Sequence, residues 1–158
     1  AHGNQPIQHM IYLYNYAGLP WKTQYWVREV INRMYKDAPD GYCGDEDNGQ
    51  TSAWYIFSAM GFYPVCPATD EYVLGAPLFK KMTISFENGK QLVIQAPANN
   101  DKSRYVQSLN WNAKVYENNY VNHFELLKGG SLNFKMQESP NKNKGIKRVN
   151  YPYSYSAN

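Results

Sequence analysis

Gly41-Tyr42-Cys43-Gly44-Asp45-Glu46-Asp47-Asn48-Gly49-Gln50 runs straight into Thr51-Ser52-Ala53-Trp54-Tyr55-Ile56-Phe57-Ser58-Ala59-Met60-Gly61-Phe62-Tyr63-Pro64. Three acids on a glycine-flanked loop thus feed an apolar, aromatic helix that should end at Gly61, a suitable left-handed C-terminal residue. Beyond Pro64 the hydrophobic period changes from 3.6 to 2. The switch divides the chain into a helical half, residues 1–64, and a strand-rich half, residues 65–137, which together read as an α+β fold.

Working back from the acidic loop, a helix over Lys22 to Tyr35 places Tyr25, Trp26, Val30, Ile31 and Met34 along one side. Arg28, Glu29, Asn32 and Arg33 fall largely on the other. An earlier helix opens at Pro6, with Asn4 as its cap, and carries Ile7, Met10, Ile11, Leu13 and Tyr14 until Gly18 and Pro20 stop it. The third helix, Gln50 to Met60, is apolar nearly all round and needs neighbours on every side. Two other helices cannot cover it, so the helical half reads as incomplete.

Working forward, Glu71 to Leu74, Met82 to Phe86, Leu92 to Gln95, Tyr105 to Leu109 and Leu132 to Met136 read as strands of an antiparallel, β-sandwich-like segment. Glu87-Asn88-Gly89-Lys90 carries the Asn-Gly signal of a tight hairpin. Met82, Ile84 and Phe86 alternate with Thr83, Ser85 and Glu87, giving that strand one buried face. His123 falls in a short turn between strands and is assigned no role. Residues 138–158 read as a basic, flexible tail.

Composition narrows the function. With 43% hydrophobic and 18% charged residues over 158 positions, the chain is globular rather than disordered. The one dense basic run, Lys142, Lys144, Lys147 and Arg148, has no aromatic stacking motif interleaved, so it reads as a solvated stretch rather than a nucleic-acid site. No apolar run approaches the ~20 residues of a membrane-spanning helix. The start at Ala1-His2-Gly3-Asn4, without an initiator methionine and directly before a helical pattern, reads as a piece of a longer protein. Cys43 and Cys66 could pair only if their Cα atoms lay within about 7 Å, which sequence leaves open.

The acidic loop is the candidate site. It is not an EF-hand, because Gln50 and Ile56 stand where such a loop needs Gly and a bidentate Glu. One reading makes its charge a complement to the dipole of the following helix. The other has Asp45 and Asp47 facing one way from an extended loop, a carboxylate pair able to act as a base or to stabilise charge, with Glu46 pointing elsewhere. Asn4 and Gln5 carry amide oxygens of the kind hard cations take, although Asn before Pro is commonly a cap. His2 and His9 are ambiguous between structural and functional roles. Aromatic residues make up 16% of the chain, fifteen of them Tyr, which tilts toward carbohydrate without deciding it.

Longer motifs sharpen the reading. Gly3-Asn4-Gln5-Pro6, then Tyr12-Leu13-Tyr14-Asn15-Tyr16-Ala17-Gly18 and Pro20-Trp21-Lys22-Thr23-Gln24, resemble the central motif of glycoside hydrolase family 92, the calcium-dependent exo-acting α-mannosidases. Gly44-Asp45-Glu46-Asp47-Asn48-Gly49-Gln50, Ser52-Ala53-Trp54-Tyr55, Gly61-Phe62-Tyr63-Pro64 and Glu71-Tyr72-Val73-Leu74-Gly75-Ala76-Pro77-Leu78-Phe79 follow in the family's order. The resemblance runs from about residue 2 to about 137. It implies that residues 1–64 are the C-terminal helices of a catalytic (α/α)6 barrel and that residues 65–137 form the β segment behind it.

The resemblance also implies inverting hydrolysis of α-linked mannosides. One acid protonates the leaving oxygen while a carboxylate across a gap of roughly 6.5–9.5 Å activates water. By position Asp45 and Asp47 match the acids on the base side, with Asp47 the base proper. His2 and Asn4 would contact substrate, and Asn4 and Gln5 would ligate calcium, although Gln5 replaces the family's usual Glu and removes a charge. The general acid matches nothing here, so the expected partners are mannose-containing glycans and the remaining N-terminal portion of the same enzyme, the isolated piece being inactive. A periplasmic or secreted location follows from the same resemblance. The alternative is a non-catalytic carbohydrate-binding or structural β module, which would require residues 65–137 to fold alone.

Overall fold

A computed structural model describes residues 2–157. Two 3-10 segments, Gln5–Ile7 and Met10–Asn15, precede α1 (Pro20–Met34) and α2 (Gln50–Met60). The strands are β1 (Phe62–Tyr63), β2 (Glu71–Leu74), β3 (Lys81–Ser85), β4 (Gln91–Gln95), β5 (Tyr105–Trp111), β6 (Lys114–Val115), β7 (Tyr120–Asn122) and β8 (Gly130–Gln137). A one-turn helix, α3 (His123–Leu126), follows β7 where the sequence suggested only a turn, and Asn122 caps it by accepting from the N–H groups of Phe124 and Glu125.

The first segment is 3-10 rather than the expected α-helix, and its carbonyls give the reason. In an α-helix the Gln8 carbonyl would accept from the N–H of Tyr12. Instead Trp54 Nε1 donates to it at 3.0 Å, and the Tyr12 N–H donates to His9 O. Likewise Thr23 Oγ1 donates to Ile11 O at 3.0 Å. Two side chains from α2 and α1 thus claim carbonyls that the α pattern needs. Asn4 stands at the cap position, but its side chain accepts no capping hydrogen bond.

Behind the helices lie two sheets. One has the order β1-β2-β7 and is antiparallel throughout. The other has the order β3-β4-β8-β5-β6, and within it β4 and β8 run parallel, pairing Leu92 with Gly130 and Ile94 with Leu132. The expected all-antiparallel segment is therefore a mixed one. The physical reason is connectivity: β5, β6, β7 and α3 lie between β4 and β8 and carry the chain back to its starting edge. The β3–β4 hairpin closes as its Asn-Gly signal requires, with Gly89 at φ 77° and Gly89 N donating to Phe86 O.

Both sheets share one apolar core. Leu92, Ile94, Leu109, Leu132 and Phe134 from the large sheet meet Phe62, Leu74 and Val121 from the small one, and Met60 of α2 joins them. A second core joins Tyr12, Val27, Val30, Ile31 and Trp54 of the helical half to Tyr63 and Val73 of the sheet. Helices and sheets are thus welded along residues 57 to 76, which does not favour a free-standing β module. Several large apolar side chains of the helical half are exposed: Met10, Leu13, Trp26 and Ile56 are between 42% and 54% accessible. Helix α2, expected to be covered all round, thus leaves Ile56 in the open.

Helix α1 departs from its amphipathic reading at one charge. Arg28 is buried, and its Nη2 donates to Pro77 O at 3.0 Å and to Asn99 Oδ1 at 2.8 Å. Burial also lowers its pKa from the ordinary guanidinium value. Two residues along α1 from Trp26, which is exposed, the cation ties the helix to the loops after β2 and β4. Gln24 reinforces the link by accepting the N–H of Val106 in β5 at 3.0 Å.

The tail is not uniformly solvated. Asn119 Nδ2 donates to Gly145 O at 2.7 Å, Tyr153 N donates to the Glu71 carboxylate at 2.7 Å, and Lys144, one of the four cations read as solvated, is buried. Cys43 and Cys66 are both free and exposed. Among the described residues, no helix is long and apolar enough to cross a membrane. Replacing Arg28 by Ala strands two buried carbonyl acceptors and should lower unfolding free energy by about 3 kcal/mol in urea titration. Arg28→Lys should recover only part of this, because one terminal nitrogen cannot also replace the separate Nη1 bond to Asn100 O.

Candidate active site

The N-terminal segment and the acidic loop touch backbone to backbone. A Cβ placed on Gly3 would lie 2.5 Å from Cys43 O, and one placed on Gly44 would lie 2.3 Å from Gly3 O. Only two glycines allow this approach. Just beyond it, Gln5 Nε2 donates to Gln50 Oε1 at 2.6 Å, and Gln50 Nε2 donates to the Gln5 carbonyl at 3.4 Å. Gln8, fully buried, donates through Nε2 to Thr51 Oγ1 at 3.1 Å, and that hydroxyl donates to Asp45 O at 2.9 Å. The two stretches singled out in the sequence, residues 3–5 and 45–50, therefore form one surface.

The loop itself is not extended at its centre. Asp47 and Asn48 have φ of 54° and 56°, and Gly49 has φ of 100°, so three consecutive left-handed residues turn the chain into α2. The strand-like alternation expected for Asp45 and Asp47 does not hold there. Asp45 is exposed and Asp47 half-buried. Neither carboxylate accepts a hydrogen bond among the described residues; both contribute only backbone carbonyls.

Glu46 behaves differently from its neighbours. Its carboxylate accepts from the N–H of Gly49 and, at 3.3 Å, from the N–H of Ser52. The Ser52 side chain, together with these N–H groups, holds its carboxyl below the usual carboxylate range. Ser52 Oγ in turn meets the Tyr42 hydroxyl at 2.6 Å. The dipole-complementing role weighed for the whole acidic loop is thus concentrated in one residue.

His2 lies inside an aromatic nest rather than on the surface. It is buried, its ring stands edge-on to Trp54 at 4.2 Å, and its Nε2 is 3.1 Å from the Tyr35 hydroxyl. Burial pushes its pKa down to about 4, so the ring is neutral near pH 7. Asn4 and Gln5 are exposed. As ligands for a hard cation they offer neutral amide oxygens. The Asn4 side chain caps nothing, and Gln5 has committed its amide nitrogen to Gln50, which leaves the oxygen as the free acceptor. Six to eight oxygens surround calcium, so this pair fits as part of a shell and not as a whole one. Among the described residues, no cluster of three or more His, Cys, Asp or Glu side chains could hold a metal.

An open groove of about 770 Å³ lies nearby, lined by Tyr35, Tyr42, Tyr55, Asn32, Asp37 and Asp101. It shares Tyr42 with the site through Ser52, but the acids of the loop do not line it. Sequence reasoning assigned no role to Gln8, Thr51, Gln50 or Ser52. The first three become visible only when the N-terminal segment is laid on α2. Ser52 could have been suspected from its place in the first turn of a helix that follows an acid.

The catalytic-domain model of glycosyl hydrolase family 92 matches residues 1–138. An inverting mannosidase of that family from Bacteroides thetaiotaomicron superposes with a TM-score of 0.94 at 53% identity, over 99% of this chain and 21% of its own. An α-mannosidase of the same family and organism superposes with a TM-score of 0.94 at 38% identity, over 98% of this chain and 21% of its own. An uncharacterised secreted glycosidase of Arthroderma benhamiae is 29% identical over 133 residues, covering 82% of this chain and 17% of that protein. The chain spans about a fifth of the length of these relatives. Gly44→Ala should force the acidic loop off the N-terminal segment, with amide hydrogen exchange rising in residues 2–5 and 42–48 and stability falling by about 1–3 kcal/mol.

Proposed function

From the premise that this chain belongs to glycosyl hydrolase family 92, we propose that it supplies the water-activating side of an inverting α-mannosidase. The observation that carries the reading is the backbone contact between Gly3 and Gly44, which brings the amides of Asn4 and Gln5 beside the loop of Asp45 and Asp47. Asp47 is the general base. Its carboxylate is free of protein donors, so its lone pairs are available to a water molecule. Asp45, two residues away, adds negative charge that favours the positive character developing at the anomeric carbon.

The acid that protonates the leaving oxygen comes from a part of the enzyme outside this chain, and the isolated chain is inactive. Asn4 and Gln5 would contribute oxygens to a calcium ion, whose chemistry when bound is to grip sugar hydroxyls and favour a distorted ring. Asn4 also faces substrate. His2, neutral and held through Nε2 by Tyr35 and edge-on by Trp54, supports the motif from behind and contributes to substrate binding.

The exposed side chains of Met10, Leu13, Trp26 and Ile56 are apolar contacts on which the rest of an (α/α)6 barrel packs. The substrates are α-linked mannosides, and the secreted relative supports a secreted or periplasmic location.

In the complete enzyme, Asp47→Ala should lower kcat by about 10²–10⁴-fold while the thermal melt stays within a few degrees. Near-normal turnover of an α-mannobiose by that variant would remove the base assignment. A chelator should silence the wild-type enzyme, with calcium and not magnesium restoring it; full activity after chelation would exclude the metal.

A further inference from the structure

We propose that Glu46 is a positioning residue for hydrolysis: by satisfying the first turn of α2 it keeps the carboxylates of Asp45 and Asp47 out of hydrogen bonds. The inference rests on the reading of Asp47 as the base. Each helix start presents N–H groups with no partner in the helix, and here four of them need acceptors. Gln50 N donates to Asp47 O at 3.2 Å and Thr51 N to Glu46 O at 3.2 Å. The remaining two, on Gly49 and Ser52, go to the Glu46 carboxylate. From Ala53 onward the regular pattern begins, with its N–H donating to Gly49 O at 2.9 Å. Glu46 therefore answers three of the four donors, and no side chain of Asp45 or Asp47 takes part.

This division is not the one the sequence would favour by default. Aspartate is among the strongest capping residues, and Asp47 stands two residues before Gly49, the spacing at which an Asx side chain bonds back to the backbone. A carboxylate engaged by one or two backbone N–H groups is a poorer base and has fewer lone pairs for water. The left-handed run of Asp47, Asn48 and Gly49 folds the donors back toward residue 46 instead. Ser52, held from its other side by the Tyr42 hydroxyl, fixes the far end of the cap. The middle acid holds the loop so that the outer two can face solvent and substrate.

Steady-state kinetics of the complete enzyme on an α-mannobiose separate this role from plain stability. Glu46→Ala should lower kcat at least tenfold with KM within about twofold of wild type, because the freed N–H groups of α2 capture Asp47. Glu46→Gln keeps one of the two acceptor oxygens, for either Gly49 N or Ser52 N, and should recover part of kcat. Wild-type kcat in Glu46→Ala would overturn the proposal, as would a Glu46→Gln variant no better than Glu46→Ala, or a rise in KM that accounts for the whole loss. An Asp47→Ala variant run in parallel tells the two readings apart. If it is inactive while Glu46→Ala is normal, only the positioning role fails; if it is active, the base assignment fails as well.

Discussion

Two glycines pressed together decide where the acids of this chain lie. Gly3 and Gly44 approach so closely that no side chain fits on either, and the contact fastens a short 3-10 entry segment to a loop some forty residues later. Buried hydrogen bonds then multiply along the same seam. Gln8 reaches Thr51, Thr51 reaches the Asp45 carbonyl, and Trp54 reaches the Gln8 carbonyl. Each bond contributes roughly 1 kcal/mol. Their joint effect is on geometry, since they fix the loop by its backbone and leave its outer carboxylates unengaged.

The seam works because the elements behind it cannot move. Helix α2 packs Trp54 on the helical side, with Tyr12 and Tyr63, and Met60 on the sheet side, with Phe62 and Leu74. Arg28 locks α1 to the loops after β2 and β4. A site held on a helix end backed by two cores is more precise than one carried on a free loop. The same arrangement packs the strands against the helices in shared cores.

Some of this was legible in the chain and some was not, and the division has physical causes. Strands β3 and β4 stood out because Met82 and Ile84 alternate with polar residues, Leu92 to Ile94 form a short apolar run, and Asn88-Gly89 marks the turn between them. Strands β1, β6 and β7 are two or three residues long, too short for any period to register. The direction of β8 depends on chain return, which no local pattern encodes. The 3-10 form of the entry segment depends on Trp54 and Thr23 donating to it from elsewhere, and the burial of Arg28 depends on carbonyls contributed by Pro77 and Asn99. At the site, residue types and motif order marked the acidic loop and the Asn4-Gln5 pair. Their contact was not readable from spacing, and neither was the unequal employment of three adjacent acids, which requires the left-handed turn at residues 47 to 49.

The parallel pairing of β4 with β8 carries a temporal consequence. Antiparallel hairpins such as β3–β4 can close as soon as both strands exist, but β4 must wait for a partner roughly forty residues downstream. During synthesis the acidic loop and α2 emerge well before β8, so the wall that backs them is still open. Until β8 docks, the apolar inner face of β4 is bare, and this interval is when the nascent chain is most exposed to self-association.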